Sequence, residues 1–188
     1  MSTDDLPSRR RAGSFALAIR AIGVIRGALF PTRMSSHVPT SMSVPGLEAF
    51  LHEQIPLTRA MGLRVAECNA QRLVLEAPLE PNRNHLGTAF GGSLHALPTL
   101  ACYGTLWMVL REAGIDSHVV IKDSQISYRQ PVKGTLRAVC ERPPAAALAE
   151  FIAVLRRNLK AGMDLHAIVV GTDGKPAAEF SGRFVALV

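Results

Sequence analysis

This 188-residue sequence predicts an α+β fold in which an antiparallel sheet wraps one long buried helix. Three observations carry that prediction. Strand-length segments outnumber helical ones and are joined mainly by turn signals, which favours antiparallel pairing. The stretch "NHLGTAFGGSLHAL" at 84–97 runs into an almost wholly apolar segment, "PTLACYGTLWMVL". That segment has apolar residues all round a helical wheel, at 94, 97, 100, 101, 106, 107, 108 and 110, so it must be covered on every side. One sheet covers one side, and a second copy of the chain is the expected cover for the other.

The elements follow in order from spacing. "GLEAFLHEQI" from Gly46 has apolar residues at 47, 50, 51 and 55, a helical face, and Pro56 ends it. "GLRVAECNA" and "RLVLEAPL" alternate or run apolar over strand lengths, with a hairpin turn at Asn69-Ala70-Gln71. The long helix is expected over roughly 92–113, with Gly114 as its stop signal. "HVVIKDSQISYRQPV" is a long strand with period-two stretches, Lys133-Gly134 a turn, and "TLRAVCERP" the returning strand. After Pro143-Pro144, "AAALAEFIAVLRRNLKAG" is helical. "DLHAIVVGTD" and "PAAEFSGRFVALV" close the domain as a hairpin about Asp173-Gly174.

Residues 1–45 differ from the domain that follows. Six arginines against Asp4 and Asp5 give them +4 of the net charge of +6. Phe15, Ile19, Ile22 and Leu29 share a helical face, but Arg26 and Arg33 fall on it too. A poorly ordered or frayed arm, dispensable for folding, is expected. An initiator at Met34 or Met42 would give the same impression, and a basic membrane-surface helix is the alternative. Arg20 and Arg26 break the apolar run that a signal peptide would need.

Composition narrows the function classes. Hydrophobic residues at 48% and charged ones at 19% match a globular domain, and the chain is long enough for one core. The domain itself carries only +2 and lacks a basic stripe interleaved with aromatics, which argues against nucleic acid. The purely apolar part of the long helix is shorter than the roughly 20 residues of a membrane span. Cys68, Cys102 and Cys140 are widely spaced, with neither a Cys-x-x-Cys nor a zinc pattern. Reduced thiols in a cytoplasmic protein are the expectation, with no metal and no cofactor.

"NHLGTAFGGSLHALPTLACYGTLW", supported by "YRQPVKG" and the closing "FSGRFVAL", resembles the thioesterase family represented by the C-terminal domain of the YiiD protein. The resemblance covers about Gly46 to Val188. It implies a hotdog fold, a curved antiparallel sheet around a long central helix, with paired protomers. YiiD proteins also carry an acetyltransferase domain ahead of this one, and residues 1–45 are not expected to supply one. The wider acyl-CoA thioesterases of this fold have Asn, then Gly, then His-Gly-Gly opening the helix, and an acidic residue further along. Asn84, Gly87 and the Gly91-Gly92 pair fall on that pattern. Phe90 stands in place of the His and Thr99 in place of the acid, which removes the usual carboxylate base.

Set beside that resemblance, the residues have a physical logic. A thioester carbonyl needs N–H donors aimed where negative charge develops. A helix start offers unsatisfied amides and a favourable dipole, and paired glycines let substrate approach the backbone. Gly91, Gly92 and Ser93 are the candidate oxyanion hole, with Phe90 and Gly87 beside the substrate; tight helix–sheet packing is the other reading of Gly-Gly. Asn84 either orients water or thioester, or makes local turn bonds. Thr99 either holds a water or bonds the carbonyl one turn back. Pro98 frees the Leu94 carbonyl beside it. His85 is a candidate base in the loop or simply exposed, and His95 a helix-face residue bonded to a partner. Cys102, mid-helix, is a buried small hydrophobe.

The function expected is hydrolysis of acyl-CoA or acyl-carrier-protein thioesters by a homodimer or dimer of dimers. A non-catalytic acyl-thioester binding module is the alternative from another class, favoured by Phe90 and Thr99. Dehydratase or hydratase chemistry is a third, and it would need the His and carboxylate that are absent at those positions. Membrane contact is expected only through the basic arm.

Overall fold

The computed structural model describes residues 44–188, so the expectations for the N-terminal arm lie outside the described residues. The first helix, α1 (Val44–Gln54), begins two residues ahead of the expected domain start and is followed by a single turn, α2 (Leu57–Ala60). The strands β1 (Arg64–Cys68) and β2 (Arg72–Ala77) pair antiparallel. Asn69 closes their hairpin, its Oδ1 accepting from the amides of Gln71 (2.8 Å) and Arg72 (2.9 Å). A short 3-10 turn at Glu80–Asn82 leads to the long helix α3 (Gly91–Glu112). Gly114 follows α3 at φ +65°, the left-handed conformation that stops a helix. Then come β3 (His118–Tyr128), β4 (Leu136–Glu141), α4 (Ala145–Asn158), β5 (Lys160–Val170) and β6 (Pro176–Leu187).

All six strands join one sheet in the order β1-β2-β4-β5-β6-β3, and every neighbouring pair is antiparallel. β5 shows why the sheet has a wet and a dry side. Ala161, Met163, Leu165, Ala167 and Val169 are buried, while the residues between them are exposed. Phe180 and Phe184 of β6 and Leu73 and Leu75 of β2 continue the dry face. α3 lies on it, packing against β2, β4, β5 and β6.

β3 does not return into β4 as the sequence suggested but crosses to pair with β6, and two further details differ from the sequence reading. The helix expected to run through Gly162 stops at Asn158, and β5 starts at Lys160, ahead of Asp164. Ala161 and Met163 suit a helix face as well as a strand face, so apolar spacing could not place the switch. It occurs at Leu159, whose φ of 57° turns the chain while its amide still bonds the Leu155 carbonyl (2.8 Å). The second difference concerns what covers α3. The ring of Phe50 on α1 stacks on Trp107 at 4.1 Å, and Leu47 lies against Gly104. The C-terminal half is therefore covered within one chain. On the N-terminal half a stripe stays open among the described residues, with Gly92 exposed and His95, Ala96, Thr99 and Tyr103 half-buried. α3 is long and apolar enough to cross a membrane by composition, but 72% of that stretch is buried in the protein.

Candidate active site

The loop before α3 is pinned by two asparagines. Asn82 is buried, and its Nδ2 donates to the carbonyls of Met61 (2.8 Å) and Pro78 (2.7 Å). Its own carbonyl accepts the Phe90 amide at 2.7 Å. Asn84 spends its whole side chain on the loop. Oδ1 accepts from the amides of Leu86 (2.9 Å) and Thr88 (3.2 Å), while Nδ2 donates to Thr88 Oγ1 (3.0 Å) and the Ala89 carbonyl (3.4 Å). Gly87 makes the tight turn at φ +71°, a conformation that costs glycine little. His85 and Leu86 are exposed at its tip.

Phe90 is the residue from which α3 starts. Its backbone is extended and its side chain makes no capping bond, so the amides of Gly91, Gly92 and Ser93 gain no capping partner from it. Its carbonyl accepts the Leu94 amide at 3.0 Å, which closes the first turn. The Phe90 ring folds back over Gly92, where an added Cβ would lie 2.2 Å from Cε1. On the other side, Tyr128 Oη donates to the Gly91 carbonyl at 3.0 Å. Ala89, Gly91, Leu94, Tyr128 and Pro131 line a largely apolar cavity of about 400 Å³ beside this turn, with Arg129 and Gln130 also in its wall.

Further along the open stripe, Thr99 Oγ1 donates to the His95 carbonyl at 2.8 Å. Thr99 lies seven residues beyond Gly92 on the same face, about 10 Å along the axis. His95 Nε2 is 3.2 Å from Ser124 Oγ on β3, and its ring packs edge-on against Phe180 at 5.4 Å. The partner expected for His95 is thus Ser124.

The structure brings Phe90, Gly91, Gly92 and Ser93 together at the start of α3, with Asn84 behind them holding the loop; Gly87 and His85 stay in the exposed loop turn. Thr99 shares the stripe two turns on. Tyr128 and Ser124 are the residues that sequence reasoning missed. Both sit in a strand whose alternation says which face a residue occupies but not which helix it meets. Cys102 and Cys140 are buried and Cys68 half-buried, all as free thiols. The hydrogen bond with Cys140 and burial hold the Cys102 thiol far above the ordinary range, so it stays protonated.

The family described as "Putative thioesterase (yiiD_Cterm)" matches residues 45–188. This chain belongs to that family. The YiiD C-terminal thioesterase family accordingly supplies the context for the site. A Chlorobaculum tepidum protein of unknown function is 32% identical, aligning over 77% of this chain and 93% of its own, with a TM-score of 0.74. A "putative thioesterase" from Shewanella oneidensis is 28% identical over 77% of this chain and 97% of its own, TM-score 0.70. A Pseudomonas aeruginosa protein described as a "probable thioesterase" is 19% identical over 78% and 96%, TM-score 0.66, and shares the fold. The fold of this YiiD C-terminal family member is the hotdog fold, a six-stranded antiparallel sheet around a long central helix. Family and neighbours together support thioesterase activity.

Proposed function

We propose that the protein hydrolyses acyl-CoA or acyl-carrier-protein thioesters at the start of α3. The observation that carries this is an uncapped Gly-Gly helix start beside a largely apolar cavity. Amides of Gly91, Gly92 and Ser93 form the oxyanion hole, where the helix dipole adds to their donors. The acyl chain takes the cavity walled by Leu94, Tyr128 and Pro131. Phe90 and Gly87 border the substrate, and the exposed Phe90 ring swings off Gly92 as the thioester arrives.

Asn84 contributes by holding the loop in shape, since all four of its amide bonds are local. Thr99 donates its one hydroxyl hydrogen bond to the His95 carbonyl, and its lone pairs accept from a water. His85 is the candidate base of this reading, exposed at the loop tip. Protomers pair through the edge strand β3, where Val120 and Ile121 are 46% and 41% exposed.

Thiol release from a panel of acyl-CoA thioesters, measured with wild type and Asn84→Ala, tests the reading. Release that falls in the variant supports it. A binding module is the second reading, and the local engagement of both Asn84 and Thr99 favours it. It predicts saturable acyl-CoA binding with no thiol released.

A further inference from the structure

Phe90 and Thr99 leave the site without the usual base, yet the open stripe carries an imidazole one turn past the glycines. His95 Nε2 lies 3.2 Å from Ser124 Oγ, a base and a hydroxyl within hydrogen-bond reach across α3 and β3. The His95 ring is held by one further contact, packing edge-on against Phe180 (5.4 Å, 78°). His95 is half-buried and Ser124 exposed, so a substrate on the stripe can reach both. Gly92 precedes His95 by three residues, about 5 Å along the helix axis.

We propose that His95 and Ser124 are the catalytic base and nucleophile of the site. This rests on the thioesterase reading, puts His95 in place of the loop-tip His85 as its base, and adds a nucleophile. In the first half-reaction Nε2 takes the Ser124 hydroxyl proton as Oγ attacks the thioester carbonyl carbon. The oxyanion forms against the amides at the start of α3. The C–S bond then breaks, an ester forms on Ser124, and the thiol leaves with the proton from His95. In the second half Nε2 takes a proton from a water held by Thr99, and that water attacks the ester. The carboxylic acid is released, and the proton returns to Ser124 Oγ.

The test uses the full chain with Ser124→Ala, His95→Gln and the double variant, each checked for an unchanged melting temperature. Either single change should lower the turnover of an acyl-CoA that wild type hydrolyses about a thousandfold. The double variant should fall no further, because groups acting as a unit are not additive. Intact mass after rapid quenching should show the acyl group on Ser124 of wild type and on neither variant. Ser124→Ala retaining more than a tenth of wild-type turnover would overturn the proposal while leaving thioesterase activity standing. Should wild type release no thiol, the thioesterase reading fails, and a fluorophosphonate probe then decides on the pair. Labelling of Ser124 that disappears in His95→Gln supports it, and absence of labelling in wild type overturns it.

Discussion

Phe90 and Gly92 hold the sharpest contrast between a catalytic turn and a packing device. The ring occupies the space where a Gly92 side chain would go. Gly92→Ala should lower turnover by about 10²–10³, the scale of a lost oxyanion interaction, while the melting temperature stays within a few degrees. The double variant Phe90→Ala with Gly92→Ala discriminates further. Turnover that stays low means the methyl blocks substrate; recovery would mean that Gly92 serves only to seat the ring. Asn84→Ala should act differently, because it strips four bonds from one loop. A stability loss of about 1–3 kcal/mol is expected, read as a lower urea midpoint together with slower turnover. An unchanged midpoint would show that the loop holds itself without Asn84. Sequence alone singled out Asn84, Gly92 and Thr99 because their side-chain chemistry is unusual in front of an apolar helix. It could not say that the Asn84 amide turns inward, since Thr88 and Ala89 compete with substrate for the same donors. Nor could it pair His95 with Ser124, 29 residues away on another element.

At the level of elements, apolar period and turn residues located nearly every boundary. Asn69, Gly114 and the Asp173-Gly174 hairpin all punctuate the chain where expected. The exception is the α4–β5 junction, where the break falls on a leucine. Leu159 is the one non-glycine at positive φ among the described residues, and it is 58% exposed. Glycine meets no steric cost there, whereas an L side chain costs roughly 1–2 kcal/mol. Leu159→Gly should therefore raise stability by about 0.5–1 kcal/mol, seen as a higher urea midpoint with an unchanged slope. A lower midpoint would show that the leucine side chain packs usefully despite its exposure. α3 teaches the complementary lesson. Its all-round hydrophobicity correctly announced a buried helix, but composition could not apportion its cover among the sheet, α1 and a second protomer. Phe50 on Trp107 is a contact between residues 57 positions apart, and no period in either segment encodes it.

For the molecule as a whole, an antiparallel sheet around a single helix was legible, but the strand order was not: β3 pairs with β6 rather than with the strand that follows it, and β4 lies between β2 and β5. Assembly and substrate rest instead on surfaces. Among the described residues β3 is an edge strand of the sheet, and the half-open stripe of α3 adjoins it through the His95–Ser124 and Tyr128–Gly91 bonds. Sedimentation velocity at micromolar concentration should give the mass of a dimer, and Ile121→Lys on the edge strand should shift it toward the monomer. A monomer mass for wild type would show that the β3 edge does not pair protomers. The central claim, that the uncapped glycine turn of α3 is a hydrolytic site, is tested most directly by thiol release. Wild type incubated with acyl-CoA thioesters of graded chain length should release free thiol catalytically, and Gly92→Ala should abolish at least 99% of that rate while folding normally. Saturable binding of the same thioesters with no thiol released by wild type would contradict it.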